Sequence, residues 1–264
     1  MGIDPVLEKI PLKEGTTESR ITEFYLGILD EMVAQQVKPS AVKPNIAFFE
    51  QYGFDGLRAL KEIIAAYSTE NIPIILDAKR GDIGKTAEAY ARAVFDFWEV
   101  DAVTINPFLG HDSIEPFLAY CKKEKGVYVI CRTSNHGAKD FQSLRVGDKP
   151  LYLKIAEKLL QWHEDGLGIV VGATSLKELQ EITAFFSKSG KEIPFLIPGV
   201  GSQGAMAKEV VHILEKSKMP LGIHRINASS SINYAYEKYH DLEYAQAAVE
   251  EIKKLNKECG YEQK

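Results

Sequence analysis

The chain has 264 residues, 45% hydrophobic and 26% charged, enough to bury one large core and of a length common for a single α/β barrel. A formal net charge of −5 gives no basic footprint for nucleic acid, and no apolar run approaches the roughly 20 residues a membrane-spanning helix needs. The three cysteines (Cys121, Cys131, Cys259) are odd in number and form no CxxC pair; with no leader pattern at Gly2-Ile3-Asp4, they argue for reduced thiols in a cytoplasmic protein and against a disulfide or zinc framework.

Along the chain, short β-branched or apolar runs alternate with helical periods. The first strand is a stub at Gly2-Ile3-Asp4 that starts almost at Met1. Ile21, Phe24, Tyr25, Ile28, Leu29 and Met32 then share one helical face. Ala41-Val42-Lys43 is the second strand and Ile72 to Lys79 the third, followed by a helix with the stripe Ala87, Tyr90, Ala91, Val94, Phe95 and Trp98. Strands at Ala102 to Asn106, Val127 to Thr133 and Leu167 to Gly172 come next. Ser175 with Glu178 three residues on has the form of a capping box, opening a helix with the stripe Leu176, Leu179, Ile182 and Phe186. The seventh strand is expected over Ile193 to Pro198, a helix through Met206, Val210, Ile213 and Leu214 after it, and the eighth strand over Gly222 to Asn227. The tail from Lys253 is expected to be a charged surface helix.

Near-continuous apolar strands suit a parallel sheet covered on both faces. Eight of them alternating with helices predict an α/β fold, a (β/α)8 TIM barrel forming a single domain over residues 1–264. The rival is an open doubly wound sheet, weakened by the lack of GxGxxG after the first strand. No repeat, low-complexity stretch or linker divides the chain.

In such a barrel chemistry sits at the C-terminal strand ends. The polar residues expected there are Asp4, Lys43, Asp77, Lys79, Asn106, Ser134, Pro198 to Gly201 and Asn227 to Ser231. Asp77 and Lys79, two apart on an extended strand, are expected to point to one face, with Asp82 in the following loop and Lys43 able to face the same space. Opposite charges favour one another's ionised forms. A structural ion-pair network is the plain reading. The catalytic reading gains weight because charges at the end of a buried strand are costly and need a reason.

Two loops add to this. Ile197-Pro198-Gly199-Val200-Gly201-Ser202-Gln203-Gly204-Ala205 leads into a helix. Its glycines let backbone N–H groups approach an anion, so phosphate binding is favoured over a plain glycine turn. Arg132-Thr133-Ser134-Asn135-His136-Gly137-Ala138 follows the fifth strand and either reads a polar ring or is a solvated loop. Asn106 lines the site or caps a turn before Pro107. His111-Asp112 lacks ligand spacing, and no metal centre is expected. Trp98 and Trp162 are expected in core or interface.

Together these stretches resemble the orotidine 5′-phosphate decarboxylase family. "DAKRGDIGKTAEAYA" is similar to its D-x-K-x-x-D-I signature with a downstream threonine, and "VKPNIAFFE", "TSNHGA" and "PGVGSQGA" resemble the longer bacterial branch, type 2. The three-charge signature alone is shared with 3-keto-L-gulonate 6-phosphate decarboxylase. The resemblance implies cofactor-free decarboxylation of orotidine 5′-monophosphate to uridine 5′-monophosphate and CO2 in de novo pyrimidine biosynthesis. It implies that Asp4 and Lys43 bind the ribose hydroxyls, with Lys43 also bonding Asp77. Asp77 would lie against the substrate carboxylate, and Lys79 would protonate C6. Asp82 and Thr86 would reach the neighbouring site of a homodimer. Ser134 would contact the pyrimidine, and Gln203 with the backbone near Gly201 would hold the phosphate. In this family the enzyme can also be fused to orotate phosphoribosyltransferase.

One departure stands out. Where the family carries N-[AS]-S-R-[SG]-I, this chain reads Asn227-Ala228-Ser229-Ser230-Ser231-Ile232, so Ser230 takes the arginine's place. A serine lacks the charged bidentate fork that suits phosphate. Arg225 is near in sequence, but within the expected eighth strand it is poorly placed to compensate. Two alternative functions remain: a Mg-dependent sugar-phosphate decarboxylase of the same superfamily, and a non-catalytic nucleotide-binding barrel.

Overall fold

A computed structural model describes residues 1–201 and 206–260. Among them eight strands alternate with eight helices of at least two turns: β1 (Gly2–Ile3), α1 (Thr17–Ala34), β2 (Lys43–Pro44), α2 (Gly53–Thr69), β3 (Ile75–Arg80), α3 (Gly84–Arg92), β4 (Ala102–Ile105), α4 (His111–Leu118), β5 (Gly126–Arg132), α5 (Leu151–Gln161), β6 (Leu167–Val171), α6 (Leu176–Ser189), β7 (Phe195–Pro198), α7 (Ala207–Lys216), β8 (Arg225–Asn227) and α8 (Tyr244–Glu258). The expected strands are present, displaced at their ends by up to three residues. Contacts divide the chain into two compact units, residues 1–78 with 228–264, and residues 79–227.

In the first unit β1 pairs in parallel with β2, with Gly2 opposite Lys43 and Ile3 opposite Pro44. Bridges at Val42–Ile74 and Asn45–Asp77 join the β2 segment to the third strand. The Gly2 amide donates to the Ala228 carbonyl at 2.8 Å. A Cβ on Gly2 would lie 1.8 Å from Ser229 Oγ, so only glycine permits this approach. The predicted α1 stripe is buried throughout. Its helix starts at Thr16, whose side chain accepts from Ser19 N at 3.1 Å, satisfying one of the orphan donors of the first turn. Phe24 stacks on Tyr244 of α8, their ring centroids 5.0 Å apart, and Tyr67 of α2 donates to the Tyr25 carbonyl at 3.0 Å.

In the second unit the strands run in sequence order from the end of β3 to β5, then through β6 and β7 to β8. The ladders among β4 to β8 are parallel, as expected for strands as apolar as the fully buried Leu167–Val171. β5 carries a bulge: Ile130 pairs with Val170 and Arg132 with Val171, leaving Cys131 as the extra residue. Cys131 then turns its thiol to the Tyr152 carbonyl of α5, 3.4 Å away. Burial pushes the thiols up, to about 11 for Cys121 and Cys259 and about 12 for Cys131, which keeps them protonated.

Two sequence expectations are corrected, and one small element is added. Ser175 precedes α6 but makes no side-chain cap, and the Glu178 carboxylate lies against Arg132. Met206 lies before α7 and is exposed, leaving Ala207, Val210 and Leu214 as the buried face. The antiparallel pair Arg145–Val146 with Lys149–Pro150, in the segment after β5, is absent from the sequence reading; two-residue strands are too short for a period. Trp98 is buried, and Trp162 is half-buried with its ring 5.2 Å from that of His111. No helix among the described residues is long and apolar enough to cross a membrane.

Candidate active site

In the first unit, strand pairing brings Lys43 of β2 to Asp77 of β3. Lys43 Nζ lies 2.9 Å from Asp77 Oδ2, and the residues are only 5% and 8% exposed. A pair this dry loses much of its Coulomb gain to desolvation, so stability alone is a poor reason for it. Asp4, just past β1, is half-buried, and its Oδ1 has no hydrogen-bond partner among the described residues. An uncompensated carboxylate oxygen is unfavourable there and suits a hydroxyl donor. The chain beyond Asp4 is pinned by Tyr234, whose hydroxyl donates to the Asp4 carbonyl at 3.0 Å and accepts from Val6 N at 2.9 Å. Burial raises the Tyr234 phenol pKa and keeps it neutral. Ser230 is exposed and opens the short helix Ser230–Asn233.

The second unit begins at Lys79, which is exposed. Its φ is +45°, in the left-handed region, although it lies in a strand. For a residue with a Cβ this costs about 1 kcal/mol or more. It also breaks the two-residue alternation of an extended chain, so the shared-face argument from Asp77 does not extend to Lys79. The Lys79 amide donates to Thr104 Oγ1 on β4 at 3.0 Å, and the Arg80 carbonyl accepts from Asn106 N at 2.7 Å. Asn106 Oδ1 accepts from Phe108 N at 3.0 Å, the turn-capping alternative of the sequence reading. Asp82 is half-buried and accepts from Ile83 N at 2.8 Å, while Thr86 is exposed in the first turn of α3.

Ser134 sits in a clamped loop after β5. Thr174 Oγ1 donates to its carbonyl at 2.7 Å. A Cβ on Gly172 would lie 2.6 Å from Ser134 Cα, and one on Gly199 would lie 3.3 Å from Ser134 Cβ. Beneath the loop Arg132 is 4% exposed. Its Nη2 lies 2.8 Å from Glu178 Oε2, and its Nη1 donates to the Thr133 carbonyl at 2.9 Å. Gln142 closes the network, accepting from Thr133 N at 2.9 Å and donating to Thr133 Oγ1 at 2.8 Å. The sequence singles out neither Thr104 nor Gln142, offers Glu178 only as a cap, and assigns Arg132 no role. The one available signal was an arginine at the end of an apolar strand, which needs an acid when buried.

Pro198 ends β7, and its carbonyl accepts from Ala173 N at 2.9 Å. Gly199 and Gly201 have φ of +90° and +130°, conformations that favour glycine. Gln203 lies outside the described residues. Arg225 does not compensate for Ser230: its Nη1 donates to the carbonyls of Gly222 and His224 at 2.9 and 3.0 Å, in the segment preceding β8.

Residues 30–238 match the Orotidine 5′-phosphate decarboxylase / HUMPS family. The orotidine 5′-phosphate decarboxylase of Herpetosiphon aurantiacus is 41% identical over 238 residues, 89% of this chain and 83% of that protein. Among solved structures, Leishmania donovani OMP decarboxylase superposes with a TM-score of 0.77 at 32% identity, covering 98% of this chain and 92% of the other. Leishmania donovani UMP synthase gives 0.79 at 34% identity; 98% of this chain is covered, but it spans only 53% of that longer protein.

Proposed function

Because the chain belongs to the orotidine 5′-phosphate decarboxylase family, with its (β/α)8 barrel and its carboxy-lyase reaction in pyrimidine biosynthesis, we propose how this chain's own residues carry out that reaction. Loss of CO2 from C6 of the orotate ring leaves a carbanion that the ring stabilises poorly. A cation held where the charge develops is the strongest device available. In this reading Lys79 supplies it: the ammonium stabilises the carbanion and then protonates C6. No coenzyme takes part.

Asp77 lies against the departing carboxylate, and its repulsion is relieved as CO2 leaves. The observation that carries this reading is the buried Lys43–Asp77 pair at 2.9 Å. The Lys43 ammonium compensates the Asp77 carboxylate where solvent is scarce. Asp4, with its unpartnered Oδ1, takes a ribose hydroxyl together with Lys43. Ser134 meets the pyrimidine. The backbone from Pro198 to Gly201, with Gln203, takes the phosphate, whose binding orders the charges at the reacting carbon.

Asp82 and Thr86 serve the neighbouring site of a homodimer. In support, Ile83 beside them and Phe108 and Leu109 after β4 are large apolar side chains left exposed. Residence in the cytoplasm fits the protonated, unpaired cysteines.

Replacing Lys79 by alanine is expected to lower decarboxylation by about 10³-fold or more while the circular dichroism spectrum stays unchanged. The ultraviolet absorbance change of orotidine 5′-phosphate follows the rate. Full turnover in Lys79→Ala would reject Lys79 as the acid.

A further inference from the structure

Six non-glycine residues have a positive φ among the described residues: Gln36, Asn71, Lys79, Glu99, Glu124 and Lys218. Four of them, Gln36, Asn71, Glu99 and Lys218, directly follow the C-capping residue of a helix, and Glu124 is itself the C-cap of a short helical turn, places where a left-handed residue ends a helix routinely. Lys79 alone lies in a strand. Such a conformation persists only where the surroundings hold it, and it concentrates at functional positions.

The holding group is visible. Thr104 is 2% exposed on β4, and its Oγ1 accepts the Lys79 N–H at 3.0 Å. Its own backbone is fixed in register opposite Tyr128 of β5. One residue further on, the Arg80 carbonyl accepts from Asn106 N at 2.7 Å, and Gly81 packs within 3.3 Å of Asn106 Cβ as measured from an added Cβ. The chain is therefore anchored to the β4 edge on both sides of the Lys79 side chain. Thr104 is β-branched, so its χ1 is stiff and its hydroxyl is held in one place.

We propose that Thr104 is a positioning residue for the decarboxylation. By accepting the Lys79 amide it holds the left-handed turn that aims the Lys79 ammonium at the reacting carbon. The proposal rests on the reading of Lys79 as the acid. A cation displaced by about 1 Å still binds substrate but loses about 10²-fold in turnover.

The test is steady-state kinetics on Thr104→Val, which keeps the shape and removes the acceptor, beside Thr104→Ser, which keeps the acceptor, and Lys79→Ala. Thr104→Val is expected to lower kcat by about tenfold or more with KM changed less than about twofold, and Thr104→Ser to restore kcat to within about threefold of the parent. Should Thr104→Val not fold, Thr104→Cys, whose sulfur accepts weakly, is judged by the same values. A Thr104→Val kcat within twofold of the parent overturns the proposal, as does a rise in KM that accounts for the whole loss, or a serine variant no better than valine. If Lys79→Ala is inactive while Thr104→Val turns over normally, the positioning proposal alone falls. If Lys79→Ala keeps full turnover, the reading of Lys79 falls and the proposal with it.

Discussion

At Ser230 a hydroxyl stands where the family pattern has a guanidinium. The side chain is exposed at the start of a short helix, and Arg225 is engaged by carbonyls ahead of its own strand. A fork of charged donors binds a phosphate dianion more strongly than one hydroxyl does, because it makes two charge-assisted bonds where the hydroxyl makes one weaker bond. Ser230→Arg is therefore expected to tighten binding of orotidine 5′-phosphate by about tenfold or more, seen as a lower KM or a lower Kd by calorimetry. Unchanged affinity would mean that the phosphate is held elsewhere. The Lys43–Asp77 pair is the opposite case, since both partners are present and removing either would leave an uncompensated charge in a dry environment.

At the scale of elements, a bulge in β5 and a packed loop do together what no single residue does. The extra residue Cys131 re-aims the strand end, so Arg132 is set beneath the loop and pairs with Glu178 of α6. The loop then has little room to move: Thr174 holds the Ser134 carbonyl and Gly172 lies against its backbone. Alanine at Gly172 would bring a methyl group to within 2.6 Å of Ser134 Cα, a backbone atom with no flexible end to swing aside. Gly172→Ala is expected to displace the loop and raise KM by about tenfold, since close packing transmits the shift directly to Ser134. A variant with unchanged KM and melting temperature would show that the loop's position is immaterial to substrate binding.

For the molecule as a whole, stability and assembly give two measurements. His224 is 3% exposed, and its Nδ1 accepts from Phe195 N at 3.1 Å. Burial, and secondarily the charge of Arg225, push its pKa down to about 4. Between the ordinary histidine value of about 6.5 and that depressed value, the unfolded chain binds a proton that the folded chain refuses. The contribution of His224 to stability is thus present above pH 6.5 and lost as pH falls, by about 2 kcal/mol between pH 7 and 5. Urea unfolding of the parent should show this loss, and His224→Asn should show a smaller one; identical pH slopes would remove His224 as the cause.

Assembly is tested by mixing Lys79→Ala with Asp82→Asn after unfolding them together. If Asp82 serves the neighbouring site, half the random dimers regain one site and about a quarter of the parent activity returns. If no activity returns, Asp82 acts within its own chain or not in catalysis.

Periodicity and local chemistry were enough to determine the eight strands, the α1 stripe and the glycine turn after β7, because apolar alternation and glycine freedom are properties of neighbours in the chain. That Lys43 can face the same space as Asp77 follows from their strand ends, but the bond between them, 34 residues apart, is implied only by the family resemblance. Tertiary structure alone decided the rest. Glu178 has the spacing of a cap, yet a buried guanidinium competes for its carboxylate more strongly than a backbone amide does, and only the fold brings Arg132, 46 positions earlier in the chain, to within 2.8 Å of it. Likewise a strand pattern predicts an extended Lys79. Its left-handed turn depends on a hydroxyl 25 residues away, and no local rule can sense a hydrogen bond closed by the neighbouring strand.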